Sequence, residues 1–378
     1  MRYSKVTGWG MKVPDRVLTN HDLEQMVDTS DEWIVSHTGI RERHIAADGE
    51  TTSTLSIDAG KKALERAGLS PNDVDLIILA TSSPDHFLPP VSSQVQHGLG
   101  AKRAGAFTLT AGCTGFVYGM ATAHQFISAG AYRNVLVIGT EIISRFLNWE
   151  DRTTCVLFGD ASGAVVLEAS DEPGGVLGFV LGSDGSKAES LIVRGLGSAM
   201  PATHEVLDNH WNYIEMQGSV VAKFAMRTLS RSAAEAAAAA GLTMDDIDLF
   251  IPHQSNARLI ELARRQLGLP PDKVLVNLDR YGNTSAAAIP LGLCEALDSG
   301  RVGEGDTVVL ASFGGGLTYA ALTLHLGVFD ASSRYFSLPI AAVRQRVRSA
   351  AVTVSATASA LLLPLFTFAR SKEDDHSK

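Results

Sequence analysis

The chain has 378 residues, 45% of them hydrophobic and 19% charged, which is enough to bury a large core and more than one minimal domain needs. A formal net charge of −9, without any block of clustered Lys and Arg, excludes a general nucleic-acid binder, since that role requires phosphate neutralisation. Thirty-five Gly against 13 Pro and the Ala-rich run at 233–240 argue against disorder, while only three cysteines argue against a disulfide framework and for a reducing cytoplasm.

From the N-terminus the chain runs into Met11-Lys12-Val13-Pro14 without a charged start and apolar core, so no secretory signal is expected. Helical spacing over Asp58 to Ala67 is followed by a Gly stop at Gly68, a polar turn through Ser70-Pro71-Asn72-Asp73 and a buried strand at Leu76-Ile77-Ile78. A strand around Phe107 to Leu109 leads into Thr110-Ala111-Gly112-Cys113-Thr114-Gly115 and a helix continuing toward Ile127. A thiol at such a turn faces unpaired N–H groups and the positive end of the helix dipole, both of which favour thiolate. Gly112 and Gly115 permit a tight turn and close substrate approach. By position alone Cys113 is as readily a buried inert cysteine as a nucleophile. Cys155, in the apolar run Cys155-Val156-Leu157-Phe158, and Cys294, on a helix with Leu291 and Leu297, read as structural.

The pattern then repeats. Ala67-Gly68-Leu69 through Asp75-Leu76-Ile77-Ile78 is matched by Ala240-Gly241-Leu242 through Asp248-Leu249-Phe250-Ile251, a spacing of 173 residues from Ala67 to Ala240, and Val135–Ile138 is matched by Val308–Ala311 at the same spacing. Apolar strands alternating with helical segments, such as Ala257 to Leu267, predict a sheet covered by helices on both faces. The expected architecture is a thiolase-like layered α/β/α/β/α fold with one half at 1–170, a second at 171–327 and a tail at 328–378. Ligands are expected near strand ends where the halves meet.

The repeat pairs Cys113 with Ala286, so the second half keeps a polar loop, Gly282-Asn283-Thr284-Ser285, but no thiol. His253 stands directly after the repeated strand, in Ile251-Pro252-His253-Gln254-Ser255-Asn256; alone it would read as a structural or surface histidine. Gly314-Gly315-Gly316 offers backbone N–H groups for an oxyanion, or a plain turn. No phosphate loop and no metal motif is present in the sequence.

Taken together, Asp31-Glu32-Trp33-Ile34, Thr38-Gly39-Ile40-Arg41-Glu42-Arg43, Phe158-Gly159-Asp160, Pro252-His253-Gln254-Ser255-Asn256, Gly282-Asn283-Thr284-Ser285 and Ser312-Phe313-Gly314-Gly315-Gly316 resemble the β-ketoacyl-acyl carrier protein synthase III family of condensing enzymes, from Val6 to about Leu326. The resemblance implies a homodimer without metal or resident cofactor. It implies acyl transfer from acyl-CoA to Cys113, then decarboxylative condensation with malonyl-acyl carrier protein. Cys113 would form the thioester with Gly315 and its own N–H stabilising the oxyanion, and His253 and Asn283 would hold the enolate oxygen. Trp33, Thr38, Arg152, Asn256 and Arg258 map to the CoA arm; Leu88, Phe158 and Phe313 map to the acyl pocket, Leu88 from across the dimer. Lys223, Arg258, Arg264 and Arg265 offer a basic patch for an acidic carrier protein, or a solvated helix face. Three departures stand out: His37 where the family often has Arg, Gly112 where Ala is usual, and Tyr319-Ala320 in place of Trp-Gly.

Two other readings use the same residues. One is an acyltransferase passing the Cys113 acyl group to a hydroxyl or amine without decarboxylation, and the other is a silent partner in a condensing complex. The uncharged stretch Ser349 to Ala369 is long enough to span a bilayer, but its Ser and Thr content and Pro364 favour an appendage over a membrane helix.

Overall fold

The computed structural model describes residues 2–329, so the tail expected at 328–378 lies almost wholly outside the described residues. The principal elements in chain order are β1 (Tyr3–Lys12), α1 (Asp31–Thr38), α2 (Thr52–Ala67), β2 (Leu76–Ala80), α3 (Val91–Leu99), β3 (Gly105–Leu109), α4 (Gly115–Ser128), β4 (Asn134–Glu141) and β5 (Ala161–Ser170). They continue with β6 (Gly175–Ser183), α5 (Gly218–Ala239), β7 (Leu249–Pro252), α6 (Ala257–Gln266), α7 (Ala288–Asp298), β8 (Thr307–Gly314) and β9 (Thr318–His325). The strands connect in the order β7-β8-β9-β6-β1-β5-β4-β2-β3.

That order is two similar sets placed back to back. In the first, β4 pairs parallel with β2 and antiparallel with β5; in the second, β8 pairs parallel with β7 and antiparallel with β9. Even the register repeats, with Leu76 opposite Val135 and Leu249 opposite Val308. The sets touch through one parallel pair, Ser4 with Gly175. The expected division after residue 170 falls in the link between β5 and β6.

Helices α2 and α3 cover the outer face of the first set, α5 covers that of the second with α6 packed beside it, and α4 and α7 contact strands of both sets, forming the central layer. β2 and most of β4 are buried, which explains why these strands read as continuous apolar runs rather than alternating ones. The helices are closed by local chemistry: Thr51 and Thr54 form a capping box ahead of α2, and Gly68 ends it in the left-handed conformation. Among the described residues no helix is long and apolar enough to cross a membrane.

Candidate active site

Both central helices are entered through a single 3₁₀ turn, Gly112–Thr114 before α4 and Ser285–Ala287 before α7. Cys113 therefore sits within the turn, two residues ahead of the helix start at Gly115. Gly112 adopts φ 55°, and a Cβ there would lie 2.9 Å from the Gly315 nitrogen, so glycine suits both the backbone and the space. At Gly314 a Cβ would lie 2.5 Å from the Cys113 nitrogen; only bare backbone can pass this close. Ser312 completes the clasp by donating to the Cys113 carbonyl at 2.8 Å.

Burial pushes the Cys113 thiol up to about 11, with the Ser285 hydroxyl and the N–H groups of Cys113 and Gly315 favouring thiolate and the facing Glu141 opposing it. This reverses the sequence expectation of a depressed pKa, because only 6% of Cys113 is exposed and desolvation outweighs the local donors. Cys155 and Cys294 are wholly buried, and their thiols are likewise pushed up by burial.

His253 follows β7 and packs edge-on to Phe313, with ring centroids 5.2 Å apart. Its Nδ1 has no hydrogen-bond partner, and burial lowers its pKa to about 3, so the ring is neutral near pH 7. Asn283 is stitched to the first half: its N–H donates to the Leu157 carbonyl at 2.8 Å, and Gly159 N–H donates to the Asn283 carbonyl at 3.1 Å. The Ser285 N–H donates to Asn283 Oδ1 at 2.9 Å, which fixes how the amide is turned.

Cys113, His253 and Asn283 open onto one cavity of about 480 Å³, walled by Phe158, Phe313, Val156, Leu157, Val221 and Leu259 among others. Trp33, His37, Thr38 and Asn256 also line it, where α1 of the first half meets the start of α6 in the second. Asn256 Nδ2 donates to the His37 carbonyl at 2.8 Å, and Arg258 donates to the Ser36 carbonyl at 2.6 Å, so these residues close the seam. Thr38 uses its hydroxyl on the Ile34 carbonyl at 2.7 Å. His37, standing in place of the anticipated Arg, stacks on Trp33 at 4.5 Å, and the Arg152 guanidinium lies 5.3 Å from the Trp33 ring.

Some expected residues fall elsewhere. Arg152 does not line the cavity and bonds the Asp28 carbonyl at 2.7 Å. Leu88 is 83% exposed beside the equally exposed Phe87 and is not part of this chain's cavity wall. Lys223 is exposed, one position beyond the cavity-lining Ala222. Arg264 is held by Glu261 through two 2.7 Å bonds and Arg265 by the same carboxylate at 2.6 Å, which suits the solvated-face reading for both. Tyr319 packs against Phe224 and under Arg231, away from the cavity wall.

Sequence reasoning missed the wall built by Leu191, Met216 and Gln217, which come from the short Leu191–Val193 and Ile214–Met216 ladder and its exit. It also missed Glu141. A carboxylate closing the otherwise apolar strand β4 was the available signal.

A family model described as 3-oxoacyl-[acyl-carrier-protein (ACP)] synthase III matches residues 107–185, and one described as its C-terminal part matches residues 237–326. The chain is 52% identical over 322 residues to the beta-ketoacyl-[acyl-carrier-protein] synthase III of Roseiflexus sp. (strain RS-1), covering 85% of this chain and 98% of that protein. Among solved structures it is similar to the beta-ketoacyl-[acyl-carrier-protein] synthase III of Thermus thermophilus, with TM-score 0.81 at 45% identity over 86% of this chain and 100% of that one. It is also similar to the priming β-ketosynthase of the R1128 polyketide biosynthetic pathway, with TM-score 0.81 at 35% identity over 86% of this chain and 97% of that one.

Proposed function

The chain belongs to the β-ketoacyl-[acyl-carrier-protein] synthase III family of condensing transferases in fatty-acid or polyketide synthesis, and from that premise we propose that Cys113, His253 and Asn283 perform a two-step decarboxylative condensation. In the first step the Cys113 sulfur attacks an acyl-CoA thioester. The N–H groups of Cys113 and Gly315, which favour negative charge at that sulfur, would receive the oxyanion that forms beside it. CoA leaves as thiolate, and the acyl chain rests against Phe158 and Phe313.

In the second step malonyl-acyl carrier protein brings its thioester to His253 and Asn283. Loss of carbon dioxide leaves an enolate, whose oxygen accepts hydrogen bonds from the His253 ring and from Asn283 Nδ2. His253 is suited to donate while neutral: its Nδ1 meets no carboxylate that would hold a positive charge on the ring. The enolate carbon attacks the acyl carbonyl, a carbon–carbon bond forms and Cys113 departs as thiolate. Transfer of a carboxylate into this largely apolar cavity removes its hydration, and departure of neutral carbon dioxide relieves that cost.

Trp33, Thr38, Asn256, Arg152 and Arg258 would guide the CoA arm at the mouth, while Lys223 with Arg258 would meet the acidic carrier. The working unit would be a homodimer, the partner's Leu88 reaching toward the acyl pocket. No resident cofactor enters these steps.

The observation that carries this reading is the convergence of thiol, neutral imidazole and oriented carboxamide on one cavity. Intact-protein mass spectrometry with a panel of acyl-CoAs, followed by malonyl-acyl carrier protein, tests it. The acyl adduct should form on the wild type, not on Cys113→Ser, and be discharged with carbon dioxide release. Asn283→Ala should still acylate while condensation falls by about 100-fold or more. An adduct discharged by alcohols or amines but not by malonyl-carrier would establish the non-decarboxylating acyltransferase instead.

A further inference from the structure

Glu141 closes β4 in the interior of the molecule with no exposed surface. Its carboxylate accepts hydrogen bonds from Ser83 Oγ at 2.6 Å, Ser82 N–H at 3.1 Å, Thr81 Oγ1 at 3.2 Å and, from the other half of the chain, Ser285 Oγ at 3.1 Å. These partners are neutral, and the titratable group facing the carboxylate is Cys113. Neutral hydrogen-bond donors offset only part of the cost of burying an ionisable group, and groups perturbed in this way collect at functional sites. The Ser285 hydroxyl also favours thiolate at Cys113, and Ser285 is held at φ 50°, a conformation uncommon for serine.

We propose that Glu141 is the proton acceptor for Cys113, reached through the Ser285 hydroxyl. The thiol S–H bond breaks as its proton joins Ser285 Oγ, and the Ser285 O–H proton passes to the carboxylate. The products are Cys113 thiolate, an unchanged serine and a neutral Glu141 carboxylic acid. The path reverses when condensation releases Cys113 as thiolate. Burial places Glu141 at about 7, where a carboxyl exchanges protons in neutral solution, whereas His253 at about 3 is a poor acceptor. Glu141 acts through Ser285 and is thus a positioning residue.

The inference rests on Cys113 being the nucleophile, so its test reads the thiol directly. Alkylation of Cys113 by iodoacetamide, mapped by peptide mass, is followed from about pH 6 to 10 in wild type, Glu141→Gln and Ser285→Gly, with melting temperatures checking the folds. Glycine removes the hydroxyl while tolerating the positive φ. Both variants should react about tenfold or more slowly near pH 7 and recover as pH rises, hydroxide replacing the lost acceptor. Faster alkylation of Glu141→Gln would overturn the proposal, because removing a facing negative charge without a relay only eases thiolate formation. An equal loss at every pH would also overturn it, reducing Glu141 to architecture. Wild-type protein that is alkylated yet takes no acyl group from acyl-CoA would sink the functional reading, while the variant profiles would still decide the relay.

Discussion

At Cys113 burial and local donors oppose each other: the burial that would protect an acyl thioester also disfavours the thiolate needed to make one. His253 meets the same burial with a different outcome, because its neutral form is the one the proposed enolate site uses. Its folded pKa lies below the unfolded value of 6.5, so its contribution to stability is complete above that value and is eroded as pH falls toward 3. Between about pH 6.5 and 5, His253→Asn should therefore lose about 2 kcal/mol less stability than the wild type, measured by urea unfolding at each pH. A wild-type pH slope no steeper than that of the variant would contradict the neutral, buried imidazole. That Cys113, His253 and Asn283 stand near strand ends and helix starts was legible in sequence, and the structure brings the three to one cavity. The contact of Glu141 with Ser285 was not, since a contact between residues 144 apart along the chain exists only after both halves close around it.

Among the elements, α1 and α6 decide whether the mouth keeps its shape. Asn256 performs two tasks there: Oδ1 accepts the Arg258 N–H at 2.9 Å and caps α6, while Nδ2 holds the last turn of α1. Asn256→Ala should cost about 1–2 kcal/mol in urea unfolding and raise the KM for acyl-CoA. Asn256→Asp keeps the cap and loses the donor, so it should retain most of the stability while still raising KM. Equal stability loss in both variants would mean that the tie to α1, rather than the cap, carries the energy. The helix itself was readable from its spacing. The cavity wall from residues 191–217 was not, because short strands and loops carry no periodicity that marks which side chains will face a ligand.

For the molecule as a whole the seam between the two strand sets is the critical packing surface. A Cβ at Gly139 of β4 would come within 2.4 Å of the Ala286 carbonyl in the other half, directly beside Ser285. Gly139→Ala should destabilise by about 1–3 kcal/mol in thermal unfolding and slow Cys113 acylation by displacing the Ser285 turn. Normal acylation in a destabilised Gly139→Ala would mean that the turn tolerates movement. The duplication was visible as a spacing of 173 residues, and the same spacing pairs Cys113 with Ala286, His253 with Ala80 and Gly314 with Glu141. The fold thus provides two places related by the internal repeat. One holds a thiol, an imidazole and bare glycine backbone; its mirror holds two alanines and a carboxylate. Specialisation of this kind runs in one direction: making Cys113 or His253 like its alanine counterpart would take a group out of the proposed site, whereas the alanines have no such group to lose.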